Sequence, residues 1–129
     1  MLASLAATYG LPFARLLLAA VFLYSGVDKL RHWRAGVAEV TELGLPWPAP
    51  FAAATIATQL LGGLSLALGL GALIGAALLA GFTIAATVLG HRFWLLHGNR
   101  AKQEFTTALE HVAIVGGLVL VMADTVKGG

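Results

Sequence analysis

The chain has 129 residues, of which 59% are hydrophobic and 11% charged, with a mean hydropathy of +0.88, a formal net charge of +2 and a pI near 9.4. Soluble proteins carry about 25% charged residues, so a water-facing globule is excluded, and eight basic against six acidic side chains, without a basic stripe, exclude nucleic-acid binding. The absence of cysteine removes structural disulfides, CxxC chemistry and thiolate metal ligation.

The leader Met1 to Ala7 has no basic residue, and Arg15 directly precedes an apolar run. Residues 11–30 are therefore expected as a retained first crossing rather than a cleaved signal, with Pro12 in the first turn where its missing N–H costs nothing. Over residues 30–44, Leu30, Trp33, Val37 and Val40 fall on one side and Arg31, Arg34, Glu39 and Glu42 elsewhere, the pattern of an interfacial amphipathic helix. Gly44 is expected to end it in a left-handed conformation, before an extended connector, Leu45-Pro46-Trp47-Pro48-Ala49-Pro50, anchored at the interface by Trp47.

From Phe51 to Gly90 about forty residues pass without an Asp, Glu, Lys, Arg or His. One helix of that length would run about 60 Å, twice the hydrocarbon thickness, so two crossings over 51–68 and 71–90 are expected, turning at Gly69 and Gly71. Thr55, Thr58, Gln59 and Gly62 form a stripe that must face protein, because lipid would leave the Gln59 amide unpaired. Gly71 and Gly75 have the small-xxx-small spacing of close helix contact, and Thr83 and Thr87 share a face on which threonines commonly bond their own i−4 carbonyls. Residues 91–104 read as a second polar connector, with Asn99 as the cap of a fourth crossing over 105–123 that carries Glu110, His111 and Gly116-Gly117.

The expected fold is thus all-α: an integral membrane four-helix bundle, one transmembrane domain over residues 1–129, with an interfacial amphipathic helix between helices 1 and 2. Six of the eight basic residues, Lys29, Arg31, Arg34, Arg92, Arg100 and Lys102, fall in the first and third connectors, which the positive-inside rule places in the cytoplasm with both termini outside.

Side by side, the helices bring a polar layer to similar depth: Asp28 and Lys29, then Thr55, Thr58 and Gln59, then Thr87 and His91, then Glu110 and His111. An intramembrane charge normally faces the bundle and has a partner, so Lys29 is expected to pair with Glu110 or Asp28. The layer sets helix register or else serves a ligand or proton, with Asp28, Lys29, Gln59, Thr87, Glu110 and His111 as the candidate site. Haem held by His91 and His111 is the weaker reading, since nothing besides two histidines asks for it. Arg15, alone near the outer surface, suits phosphate anchoring better than substrate recognition. Ser25 has no histidine on its helix, and there is no HExxH, glycine-rich phosphate loop or Cys/His metal spacing.

Arg15-Leu-Leu-Leu, Gly26-Val-Asp-Lys29-Leu30, Leu43-Gly44-Leu45-Pro46, Gln59-Leu-Leu-Gly62-Gly63-Leu64, Arg92-Phe93-Trp94 and Leu109-Glu110-His111 through Gly116-Gly117-Leu118 occur in an order that resembles the DoxX family of small four-helix bacterial and archaeal membrane proteins. The resemblance implies a multi-pass cytoplasmic-membrane protein linked to quinol oxidase and thiosulfate:quinone oxidoreductase systems. Gln59 stands where many relatives carry Glu, and Glu110-His111 where Lys-Asn is common. The reading that follows is a subunit or accessory protein of a quinone-linked redox system, in contact with lipid and with redox subunits or further copies of itself. Lys29, Gln59 and His111 would donate to a quinone head group, and Glu110 would exchange a proton. A small-molecule or ion permeation protein and a structural assembly module are the alternatives.

Overall fold

The computed structural model describes residues 1–90 and 93–128, with no strand among them. Five α-helices and one short 3-10 turn follow in order: α1 (Leu2–Arg31), α2 (Trp33–Glu42), α3 (Pro48–Leu68), α4 (Ala72–Gly90), the turn at Phe93–Leu95, and α5 (Gly98–Gly128). Four of the helices, α1, α3, α4 and α5, are long and apolar enough to cross a membrane. Most of their surface is not buried by protein: only 17% of the most apolar window of α1 and of α5, and 33% of that of α3 and of α4, lies inside. Leu61, Leu64, Ile74, Leu78, Ile84 and Leu120 are all exposed, a distribution that suits acyl chains and not water.

The helices follow a chain of neighbours. α1 packs chiefly on α3, α3 on α4 and α4 on α5, whereas α1 and α5 touch only sparsely. Small residues set the close approaches. A Cβ at Gly26 would lie 2.7 Å from Leu60 Cδ2, one at Gly63 2.9 Å from Leu23 Cδ2, and one at Gly62 2.7 Å from Leu79 Cγ. Of the Gly71 and Gly75 pair expected to make a close contact, Gly75 does so against Ser65 while Gly71 belongs to the turn, and Gly117 meets Leu18. Around these crossings Ala19, Phe22, Leu66, Ala76, Leu79, Leu118 and Val121 form the core.

The hairpin between α3 and α4 is where the uncharged run placed it. Gly69 (φ 72°) and Gly71 (φ 61°) take left-handed conformations, and the Gly69 and Leu70 N–H groups both donate to the Ser65 carbonyl. Gly44 (φ 77°) ends the α2 segment as expected. The α2 helix is shorter than the 30–44 reading but keeps its apolar side inward, with Val40 buried against α3.

Helix boundaries depart from the sequence expectations at four places. α1 starts at Leu2 and not residue 11, so Pro12 lies inside the helix; Leu2, Ala3, Leu5, Ala6 and Ala7 are strong helix formers that carry the pattern upstream. α3 starts at Pro48, so the proline run is only partly extended: Pro48 and Pro50 occupy the first turn, where no N–H partner is lost. That entry leaves Trp47, between two prolines, as the one non-glycine residue at positive φ (50°) among the described residues, with an exposed ring. α5 starts at Gly98, so Asn99 lies in the first turn instead of capping it, and the helix runs to Gly128.

Candidate functional site

The glycine contacts fix the register of the polar residues. Gln59 lies one turn from Gly62, and Thr83 one turn from the Leu79 that packs on Gly62, so Gln59 and Thr83 occupy the same level of facing helices. Both are buried, at 4% exposure each. Lys29 is one turn beyond Gly26 on α1, and Thr87 one turn beyond Thr83 on α4, which puts both a step nearer the connectors.

Thr83 donates to the Leu79 carbonyl at 2.7 Å, and Thr87 donates to the Thr83 carbonyl at 2.7 Å. Thr87 Oγ1 also lies 2.8 Å from His111 Nδ1. A hydroxyl has one hydrogen, and a carbonyl can only accept, so Thr87 must receive the second bond from His111 Nδ1–H. That bond ties α4 to α5. Thr87 therefore bonds its own helix, as threonines commonly do, and holds a site residue as well. Thr55 and Thr58 bond only the Phe51 and Ala54 carbonyls.

Gln59 does face protein, yet its Oε1 is fully buried and has no hydrogen-bond partner. Lys29 is half-buried and forms no ion pair with Asp28 or Glu110, contrary to expectation. Asp28 instead turns out to the α1–α2 corner, where its carboxylate meets His32 Nδ1 at 3.4 Å, a pair that sequence reasoning missed. Both members are more than half exposed, which makes the contact weak. Glu110 shares an α5 face with Gly117, the residue that meets Leu18, but it is exposed because α1 and α5 touch so little. Lys29 lies three turns along α1 from Leu18 on nearly the same face, so Lys29 and Glu110 flank the sparse α1–α5 seam from opposite sides.

Within the layer the hydrogen bonds join Thr83, Thr87 and His111 in a row across α4 and α5, while Gln59 and Lys29 face it from α3 and α1. No group of three or more His, Asp or Glu residues could hold a metal among the described residues. His91 and Arg92 lie outside the described residues, and with them the His91–His111 arrangement. Two cavities lie away from this layer. One of about 250 Å³, lined by Glu42, Leu43, Leu89, Arg100 and Glu104 among others, sits beside the connectors. A larger one, of about 480 Å³, contains Arg15 at the Gly69 turn.

The model of the DoxX family matches residues 10–92, which hold Arg15, Gly26 to Leu30, the Leu43 to Pro46 turn and the Gln59 to Leu64 stripe. Glu110 and His111 fall beyond that match. Comparison with curated proteins and with solved structures gives no match. With a family match over well more than half of its length, together with four apolar spans packed through glycine contacts, the chain belongs to the DoxX family.

Proposed function

We propose that this protein is a membrane subunit or accessory protein of a quinone-linked redox system, and that it holds a quinone head group at the Gln59 level. The carrying observation is the buried, unpartnered Gln59 Oε1, one turn from a half-buried Lys29 that has no counter-ion among the described residues. An unpaired acceptor in a membrane interior is costly, and the hydroxyl of a quinol head group would remove that cost, which the carbonyls of the oxidised ring cannot. A carboxamide offers both an N–H pair and a carbonyl oxygen, so one side chain can donate to a quinone carbonyl and accept from a quinol hydroxyl.

The hydrogen-bonding character of the residues supports such a head group. Lys29 supplies a positive donor, Gln59 a donor and an acceptor, and the Thr87–His111 pair a fixed polar wall from the other two helices. The sparse α1–α5 seam is the side from which a lipid-soluble ligand would enter, past Lys29 and Glu110. Glu110, exposed beside that seam and not paired with Lys29, would be the group that passes a proton to or from the ring. Bound quinone would supply two-electron chemistry to a partner redox subunit. This chain's part is to bind and orient the ring.

Quinone content of the purified protein, measured by extraction and chromatography, tests the reading alongside quinol-dependent oxygen or acceptor reduction in membranes lacking the gene. Expected results are about one quinone per chain, at least a tenfold loss in Gln59→Leu, and a lower respiratory rate on deletion. A quinone-free preparation with unchanged electron flow would overturn it.

A further inference from the structure

The turn end of the bundle holds a cavity with charged walls, separate from the Gln59 layer and independent of the quinone reading. Its cavity, of about 480 Å³, is lined by Leu11 and Arg15 of α1, Gly69 and Gly71 of the turn, Ala72 to Ile74 of α4, and Asp124 and Thr125 of α5. Arg15 and Asp124 carry opposite charges into one cavity, yet form no ion pair with each other. Arg15 Nε is fully buried without a hydrogen-bond partner. The guanidinium is pinned beside the turn, with Nη2 3.0 Å from where a Cβ of Gly69 would lie.

Each wall has its own hydrogen-bonding sense. The α1 wall donates through the guanidinium, and the opening turn of α4 adds backbone N–H groups that no intrahelical carbonyl takes. The α5 wall accepts. Asp124 presents a carboxylate, and Thr125 has already given its hydrogen to the Val121 carbonyl at 2.7 Å, which leaves its oxygen only as an acceptor. A lone anion would be repelled by Asp124, and a lone cation by Arg15. A zwitterion, anionic at one end and bearing N–H donors at the other, satisfies both walls.

The site also lies at headgroup level. α3 and α4 have 21 and 19 residues, which at 1.5 Å each gives about 30 Å, the thickness of the hydrocarbon core, so their shared turn marks its boundary. Leu73 and Ile74 on the cavity wall are exposed apolar residues, placed where acyl chains would leave it.

We propose that this cavity binds a phosphoethanolamine group, with the phosphate on Arg15 and the ammonium on Asp124 and Thr125, and that its source is a membrane lipid. The chemistry separates three headgroups. Choline has no N–H to give Asp124, and glycerol has no positive charge, so ethanolamine is preferred over both.

Native mass spectrometry of the full chain released from mixed-lipid nanodiscs tests this, using phosphatidylethanolamine, phosphatidylcholine and phosphatidylglycerol of identical acyl chains. The expected result is ethanolamine lipid retained at least fivefold over the other two. Arg15→Gln should abolish retention of the ethanolamine lipid, and Arg15→Lys should keep part of it. Asp124→Asn, a change on an exposed residue that leaves the core untouched, should erase the preference over choline lipid while phosphate binding persists. Soluble glycerophosphoethanolamine should displace the lipid poorly. Equal retention of the three lipids, or a preference unchanged in Asp124→Asn, would overturn the zwitterion assignment, and displacement by the soluble compound at equal concentration would overturn the lipid source.

Discussion

Gln59 combines two properties that point in opposite directions. A buried amide oxygen without a partner destabilises the empty protein, by about 1–3 kcal/mol in soluble proteins. Gln59→Leu, which keeps the volume and removes the polar group, should therefore raise the melting temperature in detergent while removing quinone. A drop in melting temperature would mean that the amide is satisfied inside the fold. Glycines give the opposite contrast. At Gly62 an added Cβ meets Leu79, itself fully buried and unable to yield, so Gly62→Ala should cost about 1–3 kcal/mol. Gly116→Ala meets nothing within 4 Å and should be neutral or slightly stabilising, because alanine is the better helix former. Thermal unfolding of the two variants side by side checks both. Thr87→Val removes the acceptor of His111 Nδ1–H and should cost about 0.5–1.5 kcal/mol in the same measurement.

At this scale the sequence was legible in part. That Gln59 must face protein follows from the cost of an unpaired amide in lipid, and it does. That Lys29 would find a carboxylate followed from the same logic and fails, because Asp28 turns out to the corner beside His32, and Glu110 looks across a seam that the helices do not close. Pairing depends on the azimuth and spacing of two helices, and neither is written in a single helix's periodicity. Asp124 and Thr125 read in the sequence as the start of a short exposed tail without a function, whereas α5 runs through them and their meaning comes from Arg15, more than a hundred residues away on another helix.

Elements were read better in their existence than in their ends. The fold-back of the uncharged run at Gly69 and Gly71 was legible because two physical demands coincide there: the run is twice too long to cross once, and left-handed turns favour glycine. Gly69→Ala should accordingly cost about 1 kcal/mol in backbone strain and also crowd the Arg15 guanidinium, lowering the melting temperature by more than the same change at the open helical position Gly81. The sequence pattern places the starts of α1 and α5 too late, since Pro12 and Asn99 are good boundary residues that the surrounding helix formers override. α1 consequently runs on past the Arg15–Gly69 level with exposed Leu2, Leu5, Tyr9 and Phe13.

For the whole molecule, the charge distribution makes an orientation prediction. Six of eight basic residues fall within 29–34 and 92–102 of the sequence, at one end of the bundle's expected topology, so both termini should be extracytoplasmic. The chain lacks cysteine, which makes single substitutions clean reporters. An impermeant maleimide should label Ser4→Cys on intact cells, and Ala35→Cys and Gln103→Cys only after permeabilisation; the reverse pattern would invert the bundle and place the Arg15 cavity in the inner leaflet.

The quinone reading joins the residue, the seam and the bundle, and photolabelling tests it most directly. An azido-quinone irradiated with the purified protein should attach to peptides carrying Lys29 and Gln59, with the yield falling several-fold in Gln59→Leu. Label confined to lipid-facing positions such as Leu61, Ile74 and Leu78, and unchanged by that substitution, would contradict it.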